Sequence, residues 1–226
     1  KWNNNGSGVY AGFVPIGNET NYGANKFTGS FDGGGHTISG LTINRSSTDY
    51  AGLFGFTGGA TLSNIGLVNA TVTGVREVGG LVGYLGNTSS LSNSYVTGTV
   101  RGSGVSMNVG GLVGTVEMNS SVNSSYSAAT VEGDVSVGGL VGFNEGGINN
   151  SYATGSVKGD SGSTNIGGLV GANGSTIKNS YAIGRVSGVS HVSNIGGLVG
   201  ANNSGSVTDS YWNTETSGQA GGAGGG

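Results

Sequence analysis

Few side chains in this sequence could carry out chemistry, and they are far apart. There are two histidines, His36 and His191, and no cysteine. Asp32 precedes His36 by four residues, a spacing at which a carboxylate could orient a general base. However, Gly33–Gly35 separate the two, and three consecutive glycines are typical of a tight turn. Since no nucleophile accompanies the pair, we predict that the chain has no catalytic residues and is not an enzyme.

The charged residues show one regular arrangement. Arg101, Glu132 and Lys158 occupy equivalent places in the repeated segments described below, with Thr73 and Ser187 on either side. A lyase or hydrolase would need like-charged carboxylates or basic residues converging on one face. Alternating signs on neighbouring strands attract each other instead, so we interpret the column as a charge ladder that fixes the register.

Metal ions and nucleic acids are disfavoured as partners. Asp134 and Asp160 follow Glu132 and Lys158 by two residues, but Lys158 would repel a cation and the calcium-binding G-G-x-G-x-D repeat is absent. With 8% charged residues and a net charge of −3, the chain cannot build a basic face for nucleic acid. We therefore predict no metal, no cofactor and no nucleic-acid partner.

The composition indicates a thin, repeated core. Glycine contributes 51 of 226 residues and proline only one, which excludes collagen, and 34% of the residues are hydrophobic. No stretch approaches the roughly 20 apolar residues of a transmembrane helix, so we expect no membrane insertion of this segment. Because the chain begins at Lys1 without a signal sequence, we interpret it as part of a longer polypeptide.

An internal repeat dominates the chain from residue 51 onward. The segment Gly79-Gly80-Leu81-Val82-Gly83 recurs from Gly110, Gly138, Gly167 and Gly196, with a diverged copy at Ala51, in steps of 28, 31, 28, 29 and 29 residues. Each copy leads to a Ser-Tyr pair, replaced by Ile65-Gly66 in the first unit. The apolar runs are short, rich in Val and Ile, and interrupted by Gly and Asn, which predicts strands.

A period near 29 residues suits one turn of a solenoid in which each coil pairs with the next. We therefore predict an all-β, right-handed parallel β-helix (β-solenoid) with six to seven coils, the hand following the usual crossover rule. Residues 1–50 form an N-terminal cap and first coil, residues 51–218 the repeats, and residues 219–226 a flexible Gly-rich tail. Trp2, Phe13, Phe27 and Phe31 are expected to close one end, and Trp212 the other.

Strand parity assigns a candidate binding surface. In residues 151–158, Val157 should face the core, and the odd spacing then directs Tyr152 outward. The same reasoning applies in each coil and predicts an outward column of Tyr95, Tyr126, Tyr152, Tyr181 and Tyr211. Such a column could do no more than stabilise coil pairing, or it could form a flat aromatic strip for sugars or a partner protein.

The corners follow from the same parity. Ile148 and Val157 are nine residues apart, so a corner between them is needed to bury both, and Asn149-Asn150 can supply it. We predict that Asn93, Asn150 and Asn179 stack there as an amide ladder. In Ile166–Gly171, Leu169 falls on the opposite side from Ile166 and Val170. Either both faces are covered, or the glycines bend the strand.

The repeated GGLVG core, the Ser151–Gly155 strand SYATG and the leader FDGGGHTISGLTI at Phe31–Ile43 resemble the GLUG repeat. That repeat occurs in large bacterial filamentous-haemagglutinin-like surface adhesins and in the non-catalytic part of immunoglobulin A-specific metallopeptidases. The resemblance covers about residues 13–218 and implies a β-helical fold and export to the cell surface. It carries no catalytic residues, and the His-Glu-x-x-His zinc motif is absent from this sequence.

The leading hypothesis is a secreted or surface-exposed stalk of a bacterial adhesin, with a host glycan or protein as its partner. The alternatives are an accessory region of a large secreted peptidase or a carbohydrate-active β-helix enzyme, which the shortage of titratable groups disfavours. Glycosylation stays open, because the sequence contains Asn-x-Ser/Thr triplets at Asn5, Asn18, Asn44, Asn69, Asn87, Asn119, Asn123, Asn149, Asn173 and Asn202.

Overall fold

The computed structural model describes residues 10–17 and 25–224. This part of the chain forms 24 strands and one short helix, α1 (Thr214–Ser217), and every pairing between two strands is parallel. The strands wind through three sheets in turn, coil after coil. The predicted parallel β-solenoid of about six coils is therefore confirmed.

Three sheets run the length of the rod. Sheet 1 stacks β1 (Ser30–Asp32), β5 (Thr61–Ser63), β8 (Ser90–Ser92), β11 (Ser121–Asn123), β14 (Gly147–Asn149), β18 (Thr176–Lys178) and β23 (Ser206–Thr208). Sheet 2 stacks β4 (Phe54–Gly58), β7 (Val82–Gly86), β10 (Val113–Val116), β13 (Val141–Asn144), β17 (Val170–Asn173) and β22 (Val199–Asn202).

Sheet 3 is the widest and has eleven strands. They are β2 (Thr37–Ser39), β3 (Thr42–Asn44), β6 (Gly66–Gly79), β9 (Tyr95–Gly110), β12 (Tyr126–Gly138), β15 (Tyr152–Ala153), β16 (Val157–Gly167), β19 (Tyr181–Ala182), β20 (Val186–Gly188), β21 (Ser193–Gly196) and β24 (Tyr211–Trp212). One coil thus passes from sheet 2 to sheet 1 to sheet 3 and then into the next coil.

Glycines turn the chain from sheet 3 into sheet 2. β16 ends at Gly167 and β17 begins at Val170, and Ile166, Leu169 and Val170 are all fully buried. The bent-strand alternative is therefore correct. A Cβ atom on Gly167 would lie 2.0 Å from the carbonyl oxygen of Val170, so no other residue fits at this corner.

The corner from sheet 1 to sheet 3 needs a left-handed residue. Asn150 has φ 50°, a conformation that Asn adopts more readily than most residues, and this turn buries both Ile148 and Val157 as predicted. Equivalent residues in the other coils have φ between 48° and 56°: Asn64, Asn93, Ser124, Asn179 and Asp209.

The predicted amide ladder at this corner is wrong over most of its length. Asn179 Nδ2 donates to Asn150 Oδ1 at 3.2 Å, but Ser124 stands between Asn93 and Asn150 and interrupts the column. All three asparagine side chains are exposed, because the turn that buries Ile148 directs the corner residue into solvent.

Both ends of the core are closed by aromatic rings. Phe27 and Phe31 contact Phe54 with ring centroids 5.0 and 5.5 Å apart, and Phe13 also packs against the core, whereas Trp2 lies outside the described residues. Trp212 pairs in register with Ala182, packs against the core and donates from Nε1 to the Gln219 carbonyl at 3.1 Å. Trp212 therefore closes the C-terminal end of the core, as its position in the sequence predicted.

The Gly-rich tail differs from the flexible segment that we expected. Leu198 N–H and Val199 N–H both donate to the Gly222 carbonyl, and Ala223 forms a parallel bridge with Val199. The tail thus takes the place that the GGLVG corner of a further coil would occupy, but with only Gly and Ala side chains. As far as Gly224 it is docked on the last coil. Within the described residues no helix is long and apolar enough to cross a membrane.

Candidate binding surface

A column of serines, buried in every coil but the last, positions the tyrosines. Each serine precedes a column tyrosine, and its N–H donates to the serine hydroxyl of the next coil at 3.1 to 3.2 Å: Ser94 to Ser125, Ser125 to Ser151, Ser151 to Ser180, and Ser180 to Ser210. Each hydroxyl donates in turn to a carbonyl two residues earlier. This relay holds every tyrosine at the same height in its coil.

The five tyrosines form one column, as predicted. They pair in strand register from Tyr95 to Tyr211. The rings of Tyr95, Tyr126, Tyr152 and Tyr181 are parallel within 3°, and successive centroids lie 4.8 to 4.9 Å apart. The residue that follows each of the first four tyrosines is buried, which agrees with an outward orientation of the ring.

The rings lean along the rod instead of lying flat on its surface. Parallel rings in contact are separated by about 3.5 Å, so centroids 4.8 Å apart require an offset stack in which each ring covers part of its neighbour. The direction of the lean is visible at the first coil, where a Cβ on Gly66 would lie 2.7 Å from Cζ of Tyr95. Each ring therefore leans over the preceding coil.

This stacking limits what the column can offer to a ligand. The rings of Tyr95, Tyr126 and Tyr152 are partly buried and cover one another's faces, so they present edges and hydroxyl groups to solvent. Partial burial also raises the pKa of Tyr126 and Tyr152, and the neighbouring tyrosines add to the shift. A continuous flat strip of ring faces does not exist along this part of the column.

The charge ladder forms as interpreted. Glu132 lies 3.5 Å from Arg101 on one side and 3.5 Å from Lys158 on the other, and its strand neighbours are these same two residues. Thr73 and Ser187 continue the column at its ends.

The structure places Asp32 in a turn and not against a catalytic base. Its Oδ1 accepts hydrogen bonds from the Asn64 side chain and the Gly34 N–H, both at 2.9 Å, and these bonds lower the pKa of the carboxyl group. His36 N–H closes the turn to the Gly33 carbonyl, and its side chain is exposed. His191 lies in a distant exposed loop.

The described residues contain no group of three or more His, Asp or Glu side chains that could hold a metal ion. Asp134 instead accepts hydrogen bonds from the N–H and hydroxyl of Ser106. Of the ten glycosylation triplets, Asn5 and Asn18 lie outside the described residues, and Asn173 is fully buried and thus inaccessible to a glycan.

Sequence reasoning missed a buried amide ladder. Asn144 Nδ2 donates to Asn173 Oδ1 at 2.8 Å, and Asn173 Nδ2 donates to Asn202 Oδ1 at 2.9 Å. The first two side chains are fully buried at the end of sheet 2, where Val116 occupies the preceding coil. The repeated Val-Gly-x-Asn pattern in three successive coils was the available signal.

Sequence reasoning also missed Glu77, which stands at the corner before sheet 2. It has φ 53°, where equivalent coils use Asn108, Asn165 or Asn194. Its carboxylate accepts hydrogen bonds from Asn108 Nδ2 and the Thr115 hydroxyl. Burial raises the pKa of Glu77 to about 7, against the opposing effect of these two donors.

Six parallel coils with continuous side-chain columns define a β-solenoid repeat protein. Three segments, residues 74–101, 133–158 and 162–187, match the GLUG motif. These GLUG-motif matches lie within the repeated coils, in agreement with the resemblance that the sequence indicated.

Two relatives extend this identification. A stretch of 94 residues, 41% of the chain, is 49% identical to halomucin from Haloquadratum walsbyi (strain DSM 16790 / HBSQ001). The fold is similar to the crystal structure of a candidate immunoglobulin A1 protease from Bacteroides ovatus, with a TM-score of 0.69 and 26% identity over 91% of this chain. The matches span 1% of halomucin and 65% of the Bacteroides chain.

Proposed function

We propose that this chain is a non-catalytic repeat segment of a large secreted or surface-exposed protein, in which it serves as a rigid stalk and offers its tyrosine column to a glycan or protein partner. The observation that carries the proposal is the strand register of the tyrosine column. The tyrosine pairing continues without a shift from Tyr95 through four further coils to Tyr211.

Side-chain columns and hydrogen bonds that continue from coil to coil support a stalk, because they tie each coil to its neighbours. The aliphatic side chains Leu62, Leu91, Val122, Ile148 and Ile177 stack as one fully buried column. Backbone hydrogen bonds join each coil to the next on all three sheets. At about 4.8 Å per coil, the six coils make a rod roughly 30 Å long.

The comparisons support an extracellular setting. Halomucin is a very large protein, since a match of 94 residues is about 1% of its length. The similarity to halomucin and to the candidate immunoglobulin A1 protease supports a repeat region within a large surface or secreted polypeptide.

The second candidate function is the accessory region of a secreted peptidase. The similarity to the Bacteroides structure favours it. In that case the solenoid would position a catalytic domain elsewhere in the polypeptide, because the sequence of this chain lacks His-Glu-x-x-His.

One binding experiment tests the adhesive role. The purified 226-residue chain is applied to a glycan array and to an array of mucus and matrix glycoproteins. We expect saturable binding that weakens at least tenfold in a Tyr152→Ala/Tyr181→Ala double variant with an unchanged far-ultraviolet spectrum. Absence of binding on both arrays, or equal binding by the variant, would contradict an adhesive column.

Immunoglobulin A1 distinguishes the two candidates. Surface plasmon resonance with immobilised immunoglobulin A1 should show no saturable binding if the chain is an adhesin stalk with another partner. Saturable binding would favour the accessory region of a peptidase.

A further inference from the structure

The tyrosine stack ends one coil before the column does. Among the described residues the stacked ring contacts run from Tyr95 to Tyr181, and Tyr211 stands in strand register with Tyr181 beyond them. Tyr181 is 40% exposed and Tyr211 is 68% exposed, whereas the other three tyrosines of the column are partly buried. One face of Tyr181 lies against Tyr152, and the side toward Tyr211 is open.

A cavity of about 600 Å³ occupies that open side. The rings of Tyr181 and Tyr211 and the side chain of Ile183, which is 44% exposed, form its apolar wall. Asn213, Thr214 and Glu215 form its polar wall. A volume of this size lies within the usual range for small-ligand sites.

The polar wall is fixed by the short helix that follows β24. Asn213 caps α1 by accepting the N–H groups of Glu215 and Thr216 at 2.9 and 3.1 Å. The Thr216 hydroxyl donates to the Ile183 carbonyl, which ties the helix to the preceding coil. The two walls are therefore held in a fixed relation before any ligand arrives, which lowers the entropic cost of binding.

We propose that this cavity is a binding site for one neutral sugar residue at the end of a glycan, stacked on the open face of Tyr181; this inference rests on the glycan-binding role proposed above. A pyranose ring has one face of C–H groups and a rim of hydroxyls. The aromatic face attracts the C–H groups, while Asn213 and Glu215 bond hydroxyls. A negatively charged sugar would be repelled by the Glu215 carboxylate.

The geometry places recognition at the end of the column instead of along it. Tyr126 and Tyr152 have a neighbouring ring against each face, so a sugar could meet only their edges. Tyr181 is the ring whose uncovered side opens into a cavity, and Tyr211 lines the same cavity from the next coil. Trp212 lines the same cavity and therefore reports on its occupancy.

Fluorescence titration of Trp212 tests the site. The probes are the methyl pyranosides of glucose, galactose, mannose and N-acetylglucosamine, and a Trp2→Phe background leaves Trp212 as the single tryptophan. We expect one or more probes to bind with a Kd on the order of 1 mM, the range for ligands of this size. Binding should weaken at least tenfold in Tyr211→Ala and in Tyr181→Ala, and less than threefold in Tyr181→Phe.

Tyr126→Ala is the matched control, because both faces of Tyr126 are covered by neighbouring rings. Binding that survives in Tyr126→Ala but is lost in Tyr211→Ala supports the terminal site. Equal loss in both variants would overturn the terminal site and would indicate that the whole column is the binding surface. No response to any of the four probes would also overturn the sugar site, whereas an adhesive role based on binding to a protein would remain supported by the arrays. Binding that no tyrosine variant changes would remove both proposals.

Discussion

Asn144 and Asn173 form a hydrogen bond of 2.8 Å between two side chains that are both fully buried. Buried amides require partners, and here each amide finds them in the neighbouring coil and in the adjoining turn. Asn173 also donates to the Ser175 carbonyl at 3.0 Å. This ladder therefore joins three coils at the end of sheet 2 and shapes the turn into sheet 1.

Replacing Asn173 by Ala should destabilise the protein by about 2 to 4 kcal/mol, because several buried polar groups lose their partner. Thermal denaturation followed by circular dichroism measures the effect. Asn202→Ala is the control, since Asn202 ends the same ladder but is exposed, and it should cost about 1 kcal/mol or less. Equal losses in the two variants would show that burial of the amide is unimportant.

At Asn150 the backbone conformation, and not the side-chain ladder, should dominate. With φ 50°, Asn150→Leu should lower stability by about 1 to 2 kcal/mol, the cost of a left-handed conformation for a branched side chain. Asn150→Gly should cost less than about 1 kcal/mol, because glycine adopts this conformation freely. A glycine variant as unstable as the leucine variant, measured by urea denaturation, would indicate that the bond to Asn179 matters more.

Reversing the charge of Glu132 should destabilise coil pairing. Glu132→Lys places three positive charges on adjacent strands, and we expect a loss of about 1 to 2 kcal/mol, whereas Glu132→Gln should lose about 0.5 kcal/mol. In 1 M NaCl, where the Debye length is about 3 Å, the gap between the two variants should shrink by half or more. A gap that does not respond to salt would argue for a packing defect instead.

Glu77 should make stability fall as the pH rises toward neutrality. Its folded-state pKa of about 7 lies above the ordinary value of 4.5, so between these pH values the folded protein binds more protons than the unfolded chain. The stabilising contribution of the protonated carboxyl is complete below about pH 4.5 and is lost as the pH passes through about 7.

Glu77→Gln should remove this dependence. We expect the variant to be about 2 to 3 kcal/mol more stable than the parent at pH 8 and equal to it near pH 4, below both pKa values. Glu145→Gln removes the charge of an exposed carboxylate and is the matched control for the loss of one negative charge. If urea denaturation gives parallel profiles for the parent and Glu77→Gln, the carboxyl group does not titrate in this range.

Repetition made the fold and the tyrosine column predictable. A column such as Val100, Val131 and Val157 is visible in the sequence because each coil must bury a side chain above the one before. Once Val157 faces inward, alternation along the strand fixes Tyr152. The charge ladder followed for the same reason, since register brings equivalent residues together.

Corners were harder to predict because alternation fails there. Asn144 and Asn150 are the same residue type at two corners of one coil, yet the first points into the core and the second into solvent. The tilt of the tyrosine rings was also unpredictable. It arises because the coil spacing exceeds the thickness of an aromatic ring, whereas alternation along a strand predicts only which side a ring faces. Glu77 belongs to no repeated column of like residues and gave no periodic signal.

The serine N–H bonds to the next coil and the backbone bonds between coils point along the rod. A pull on the two ends of the chain therefore loads these bonds along their own direction, and the outermost coil should peel away before the inner ones. Each peeled coil would release 28 to 31 residues, about 100 Å of extended chain, in exchange for about 5 Å of rod. Under load the segment should therefore lengthen stepwise, one coil at a time, and the released chain should refold on the remaining coils when the load falls.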